Sequence, residues 1–186
     1  MKDRRSTGFT LIEVLVVIAI FSIISSLLIR NLSGKKTNLT KLAHQIAADI
    51  RLAQSYALSS RQHDGTIRCG YGVRAVPGNS TYSIFAGQDN NCNPPFQYLN
   101  ATQTPTVKTV TMPPDTRIKT SFIGNSMFYR PPNPILYVGS NNTPVADVAA
   151  VQIGYISPCG PTDCLTICAY RSGRVEIIAF EVCPAP

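Results

Sequence analysis

The residues able to do chemistry are few and unevenly placed. Among 186 residues stand two histidines, ten carboxylates and six cysteines. His44, on the expected helix, and His63, just after it, have no obvious triad geometry, so no catalytic residue is expected and the chain does not read as an enzyme. Asp89-Asn90-Asn91-Cys92-Asn93 is rich in oxygen but lacks the alternating carboxylates and closing Glu of a calcium loop, so it reads as a polar turn. Cys69, Cys92, Cys159, Cys164, Cys168 and Cys183 are spaced without the C-x2-C knuckles of zinc ribbons, and no metal or cofactor is expected. An even set of cysteines on one side of an apolar segment reads instead as a disulfide framework in an oxidising compartment.

The carboxylate that stands out is Glu13. It interrupts Gly8-Phe9-Thr10-Leu11-Ile12-Glu13-Val14-Leu15-Val16-Val17-Ile18-Ala19-Ile20-Phe21, where a lone charge in lipid costs about 2.5–3.5 kcal/mol. An ionisable group in such a place is a functional site by default. The other charges are less pointed. The net +7 is dispersed, apart from Lys2, Arg4 and Arg5 ahead of the apolar run, and a dispersed surplus is solvated surface charge.

Phe9 to Ile29 is long enough, at about 1.5 Å per residue, to span a hydrocarbon core as a helix. The basic residues before it would stay cytoplasmic and the rest of the chain would lie outside. After a kink expected at Ser33-Gly34, apolar residues recur at Leu39, Leu42, Ile46, Ile50, Ala53 and Ala57, with Lys41, Asp49 and Arg51 read as off that stripe. Thr37 or Asn38 would cap a restarted helix, and a continuous bent helix is the alternative. If continuous, the helix from Phe9 to about Ser60 is a rod of roughly 75–80 Å.

Beyond Gln62 the pattern turns to strands: Thr66–Val73 and Thr81–Phe85 as a hairpin about Gly78, then Val107–Thr111, Arg117–Phe122 and Ala149–Ile156. A final hairpin joins Leu165–Tyr170 to Val175–Phe180, and Pro131-Pro132-Asn133-Pro134 reads as an irregular loop. The fold class is α+β, a long helix against an antiparallel sheet. The domain plan is residues 1–8 as a basic leader, 9–30 as the membrane helix, 31–62 as its amphipathic half and 63–186 as the cysteine-containing head. The first hairpin sets Cys69 opposite about residue 88, within reach of Cys92. The last sets Cys183 near Cys159 or Cys164, leaving Cys168 for the remaining one, although the sequence alone does not choose among the pairings.

Gly8-Phe9-Thr10-Leu11-Ile12-Glu13 resembles the leader-cleavage motif of type IV pilins and the pseudopilins of type II secretion. The resemblance implies that a membrane peptidase cuts after Gly8 and methylates the amine of Phe9. It also implies that Glu13 pairs with the Phe9 ammonium of a neighbouring docked subunit. Partners on this reading are other pilin subunits, the prepilin peptidase and methylase, an inner-membrane assembly platform and, before assembly, the lipid bilayer. The protein would sit as a single pass in the cytoplasmic membrane with its head outside, and later in an extracellular or periplasmic filament. Arg51-Leu-Ala-Gln-Ser-Tyr-Ala-Leu58 and Ser172-Gly173-Arg174-Val175 are similar to the helix end and last hairpin of the FimT/GspH-like minor pilins. The resemblance does not extend to residues 87–148.

Related minor pilins that capture DNA carry a Gly-Arg-x-Arg motif in that hairpin. Gly173 and Arg174 match it, but Glu176 replaces the second arginine and would repel a phosphate. Arg171 and Arg174 are therefore the DNA-binding candidates of an alternative, receptor reading, with Arg68, Arg74 and Arg130 as supports whose value depends on where they lie in space. A third reading is a secretion pseudopilin.

Overall fold

In the computed structural model the described residues are 11–88, 92–93, 97–132, 135–139, 144, 148–155, 158–161, 163–179 and 182–185, and the side chains of 27–37 lie outside the description. Gly8 and Phe9 are thus outside the described residues. The chain divides into two compact units, Met1–Thr37 and Asn38–Pro186.

The first element is a single helix, α1 (Leu11–Leu58), unbroken at Ser33-Gly34. Of the two alternatives, the restarted helix is not adopted. In the first unit every described side chain from Leu11 to Ser26 is exposed, Leu11 at 81% and Ile18 at 59% among them. Among the described residues no helix is long and apolar enough to cross a membrane. The side chains described there, 11–26, fall short of the roughly 20 residues a hydrocarbon core requires.

Among the described residues the second unit places three antiparallel sheets after the amphipathic part of α1. In chain order the strands are β1 (Gln62–His63), β2 (Thr66–Ile67), β3 (Tyr71–Ala75), β4 (Thr81–Ala86), β5 (Thr106–Thr111), β6 (Thr116–Thr120), β7 (Ser126–Arg130), β8 (Ile135–Val138), β9 (Val148–Tyr155), β10 (Cys164–Tyr170) and β11 (Val175–Ala179). β1 and β2 form a small hairpin, five strands run in the order β5-β4-β3-β7-β8, and four in the order β11-β10-β9-β6. The turn between β3 and β4 ties the two larger sheets together: the Gly78 N–H donates to Ile118 O at 2.8 Å, and the Ile118 N–H donates to Asn79 O at 3.0 Å.

Leu39, Leu42, Ala43, Ile46, Ala47, Ile50, Ala53 and Ala57 are all buried, as the three-and-four spacing requires. They pack on side chains from both sheets, among them Val73, Ile84 and Met127 from one and Val151, Ile153 and Ile167 from the other. The far face of the five-stranded sheet carries a smaller cluster of Phe85, Phe128 and Tyr137. Gly72 makes room for it, since a Cβ there would stand 2.3 Å from Met127 O and 2.5 Å from the Phe85 ring.

The expected first hairpin holds its register, Tyr71 facing Ala86, but the strand expected from Thr66 to Val73 is interrupted. β2 stops at Ile67 and β3 begins only at Tyr71, with Gly70 between them at φ +138. β7 and β8 were not foreseen. Four of the five residues of β7 are buried, so this central strand lacks the alternation that marks a half-buried one.

Three disulfides cross the second unit. Cys69–Cys92 forms as the hairpin register implies, with the Cys69 N–H donating to Gln88 O at 3.1 Å. The expected partners of Cys183 are corrected: Cys159 pairs with Cys164, and Cys183 with Cys168. The β10–β11 ladder ends at Leu165 opposite Ala179, and Cys183 beyond it lies 5.8 Å, Cα to Cα, from Cys168. The tail therefore returns toward the middle of β10 instead of extending the hairpin.

Loop length orders the bridges. Closing the 23-residue separation of Cys69–Cys92 should stabilise by about 3 kcal/mol, and the 5-residue separation of Cys159–Cys164 by about 2 kcal/mol. Urea unfolding of the two paired Cys→Ser double variants checks this, and the Cys69/Cys92 variant should lose more.

Candidate functional site

Glu13 lies in α1, two residues after the first described one. It lines a shallow groove with Val14, Val17 and Ile18 on one side of the helix. The groove surface is apolar throughout, Glu13 contributing only the carbon stem of its side chain.

The helix end and the final hairpin, the two segments noted for their family resemblance, touch each other. The Arg51 guanidinium donates to Val175 O at 2.9 Å. Gly173, at φ +88, lies against Gln54, whose Nε2 would be 2.3 Å from a Cβ at that position. The Gly173 N–H donates to Tyr170 O, and the Tyr170 N–H to Arg174 O, both at 2.9 Å. These bonds close a three-residue loop that needs a left-handed residue at its end. Gly173→Ala should cost about 1–2 kcal/mol from backbone strain, while the flexible end of Gln54 moves aside. A lower thermal midpoint with unchanged far-ultraviolet circular dichroism would show it.

Arg174 is already engaged. Its Nη2 lies 3.1 Å from Glu176 Oε2, and its guanidinium carbon sits 4.3 Å above the centre of the Tyr170 ring. Tyr170 also donates its hydroxyl to Glu176 at 3.0 Å. The Tyr170 hydrogen bond first, and the Glu176 charge after it, make this guanidinium hold its proton more tightly than usual. Arg171 is exposed at the turn. The supporting arginines stand on the other large sheet or ahead of it. Arg74, in β3 opposite Ser126, covers the Tyr98 ring at 4.3 Å, Arg130 closes β7 at the opposite end of that ladder, and Arg68 precedes β3. They do not join Arg171 and Arg174 in one surface through any described contact.

Sequence reasoning missed the polar centre of the head. Asp49, read as off the apolar stripe, is 5% exposed. It lies three residues after Ile46 and four before Ala53, and that spacing puts it on the buried face after all. Tyr82 donates its hydroxyl to Oδ2 at 2.7 Å, and Lys108 Nζ reaches Oδ1 at 2.7 Å. Burial, then the hydrogen bond and charge of Asp49, push the Tyr82 phenol well above its ordinary value. One carboxylate thus ties α1 to β4 and β5. Among the described residues no cluster of His, Cys, Asp and Glu is placed to hold a metal ion.

Residues 3–29 match the prokaryotic N-terminal methylation motif, a stretch that contains Gly8, Phe9 and Glu13. The chain is 30% identical over 92 residues to the type IV wide pilus major component PilA4 of Thermus thermophilus, covering 47% of this chain and 70% of that one. It is 38% identical over 68 residues to the type II secretion system core protein G of Aeromonas hydrophila, covering 36% of this chain and 48% of that protein. No solved structure matches. The chain belongs to the type IV pilin and pseudopilin family. Its N-terminal motif, long helix and disulfide-bonded antiparallel head are those of a type IV pilin-like filament subunit.

Proposed function

We propose that this chain is a prepilin, cut after Gly8, methylated on Phe9, and built as a minor subunit into a surface filament through its N-terminal helix. The observation that carries the reading is the match of residues 3–29 to the methylation motif, together with Glu13 among apolar side chains that are uncovered from Leu11 to Ser26. Before assembly the helix would hold the subunit in the cytoplasmic membrane as a single pass, with the head outside. A prepilin peptidase and an inner-membrane assembly platform are the partners such a route requires. The minor role is supported by the contact of Arg51 and Gln54 with the Gly173 hairpin, the two segments that resemble FimT/GspH-like subunits.

Co-expression with a prepilin peptidase tests the processing step. The wild type should lose its basic leader, and Gly8→Leu should retain it. Equal cutting of both would remove Gly8 from the reading. The match to a type II secretion core protein supports a second reading, a pseudopilin of a short periplasmic filament. Shearing separates the two: a surface pilin is recovered in the sheared fraction, and a pseudopilin stays with the cell envelope. The DNA-receptor reading gains nothing from the final hairpin, because Glu176 already neutralises Arg174.

A further inference from the structure

We propose that Arg61 and Arg68 form a binding site for a phosphate-type oxyanion beside Tyr71. α1 ends at Leu58, and a tight hairpin follows at once, with Gln62 opposite Ile67 and the turn at Asp64 and Gly65, both at positive φ. The residues next to that paired position are Arg61 on one side and Arg68 on the other. Two like charges at the base of a hairpin repel each other.

Both guanidiniums act on the Tyr71 phenol, each making its ionisation easier against the larger opposing effect of burial. Tyr71 donates its hydroxyl to Arg61 O at 2.8 Å, which fixes the ring at the base of the hairpin. The Arg61 guanidinium carbon lies 4.1 Å above the Tyr56 ring, which itself packs edge-on against Tyr71 at 5.4 Å. Arg68 Nε is buried without a hydrogen-bond partner. A buried donor left unpaired is costly, and the forked donors of a second arginine across the base of the same hairpin suit an oxyanion that accepts from both.

Among the described residues no acid pairs with either arginine. Asp64, at the tip of the hairpin, is exposed and faces His63 at 3.3 Å. The carbonyl end of α1 opposes an anion, but the carbonyls of Ser55, Tyr56 and Ala57 are already taken by the N–H groups of Ser59, Arg61 and Ser60. With that opposition reduced, two guanidiniums outweigh the helix end. Tetrahedral phosphate oxygens fit this donor set, whether from free phosphate or from a phosphodiester chain. This inference does not depend on the filament reading.

The test is thermal unfolding of the full chain in detergent micelles, with inorganic phosphate against chloride at equal ionic strength. Phosphate should raise the midpoint of the wild type, and Arg61→Gln should weaken its apparent affinity at least about tenfold. Arg61 is exposed, so this variant keeps the fold even if Arg68→Gln does not. Equal midpoints in phosphate and chloride, or an undiminished response in Arg61→Gln, would overturn the site. Asp89 follows Gln88 in the sequence, so Asp89→Asn is the third variant. A phosphate response seen only in Asp89→Asn would mean that the chain's own carboxylate fills the place, and the proposal would fail. A short single-stranded oligodeoxynucleotide then identifies the source. Binding tighter than inorganic phosphate and lost in Arg61→Gln supports a phosphodiester ligand, and equal affinity supports free phosphate.

Discussion

Glu13→Ala should remove the subunit from filaments while leaving it in the membrane. In the proposed assembly the carboxylate of each incoming chain answers the Phe9 ammonium of its docked neighbour. Breaking such a buried pair from one side leaves the other charge uncompensated, at roughly 3–5 kcal/mol, or more than about a hundredfold in an equilibrium. Before assembly the sign reverses. An isolated carboxylate in lipid is unfavourable, so the alanine variant should insert at least as well as the wild type. The expected result is a full-strength band in the membrane fraction and a loss of at least tenfold, on the order of that estimate, in the sheared filament fraction. Glu13→Gln, which keeps the shape and removes the charge, should behave like alanine. If Gln assembled normally, the role of Glu13 would be packing and not charge.

The second large effect lies in the head. Asp49→Ala should cost about 2–4 kcal/mol, because it leaves the buried Tyr82 hydroxyl without its acceptor and cuts the tie from α1 to β4 and β5. Lys108 is 43% exposed at its side chain and can turn to solvent, which keeps the figure below that for a fully buried pair. Lys108→Met also destabilises, since it strands a buried carboxylate. Replacing both, as Asp49→Leu with Lys108→Met, should recover part of the loss, and urea unfolding of the three variants measures that coupling.

The alkaline limb of stability carries the same signature. The Tyr82 phenol is raised in the folded state, so it contributes stability that is complete below about pH 10 and lost as pH rises, because the unfolded chain ionises first. Phenolate absorbance should appear late for Tyr82, and together with unfolding. Tyr129, buried on β7 and raised by burial, should do the same.

What could be read from the residues divides along physical lines. The apolar stripe from Leu39 to Ala57 was legible because helical spacing on a half-buried helix is periodic, and the β3–β4 hairpin because Pro77-Gly78 sets its centre. β7 and β8 were not, since Ser-Met-Phe-Tyr buried on both faces shows no alternation. Asp49 departs from the expected pattern because its charge favours solvent while its spacing from Ile46 and Ala53 puts it on the buried face. The pairing of Cys183 depended on where the chain goes after Ala179, and a tail outside any ladder has no register from which to read it. The contact between Gly173 and Gln54 joins segments more than a hundred residues apart, and no local pattern contains it. The N-terminal apolar segment was the most legible feature, because a carboxylate five residues past Gly8 in an apolar run has a cost that only function offsets.

Mass spectrometry of the subunit recovered from sheared filaments tests the central claim most directly. The account predicts a mature N-terminus at Phe9, carrying a methyl group on its amine, with residues 1–8 absent. Filament-borne protein that still begins at Met1, or that begins after the apolar run, would contradict it.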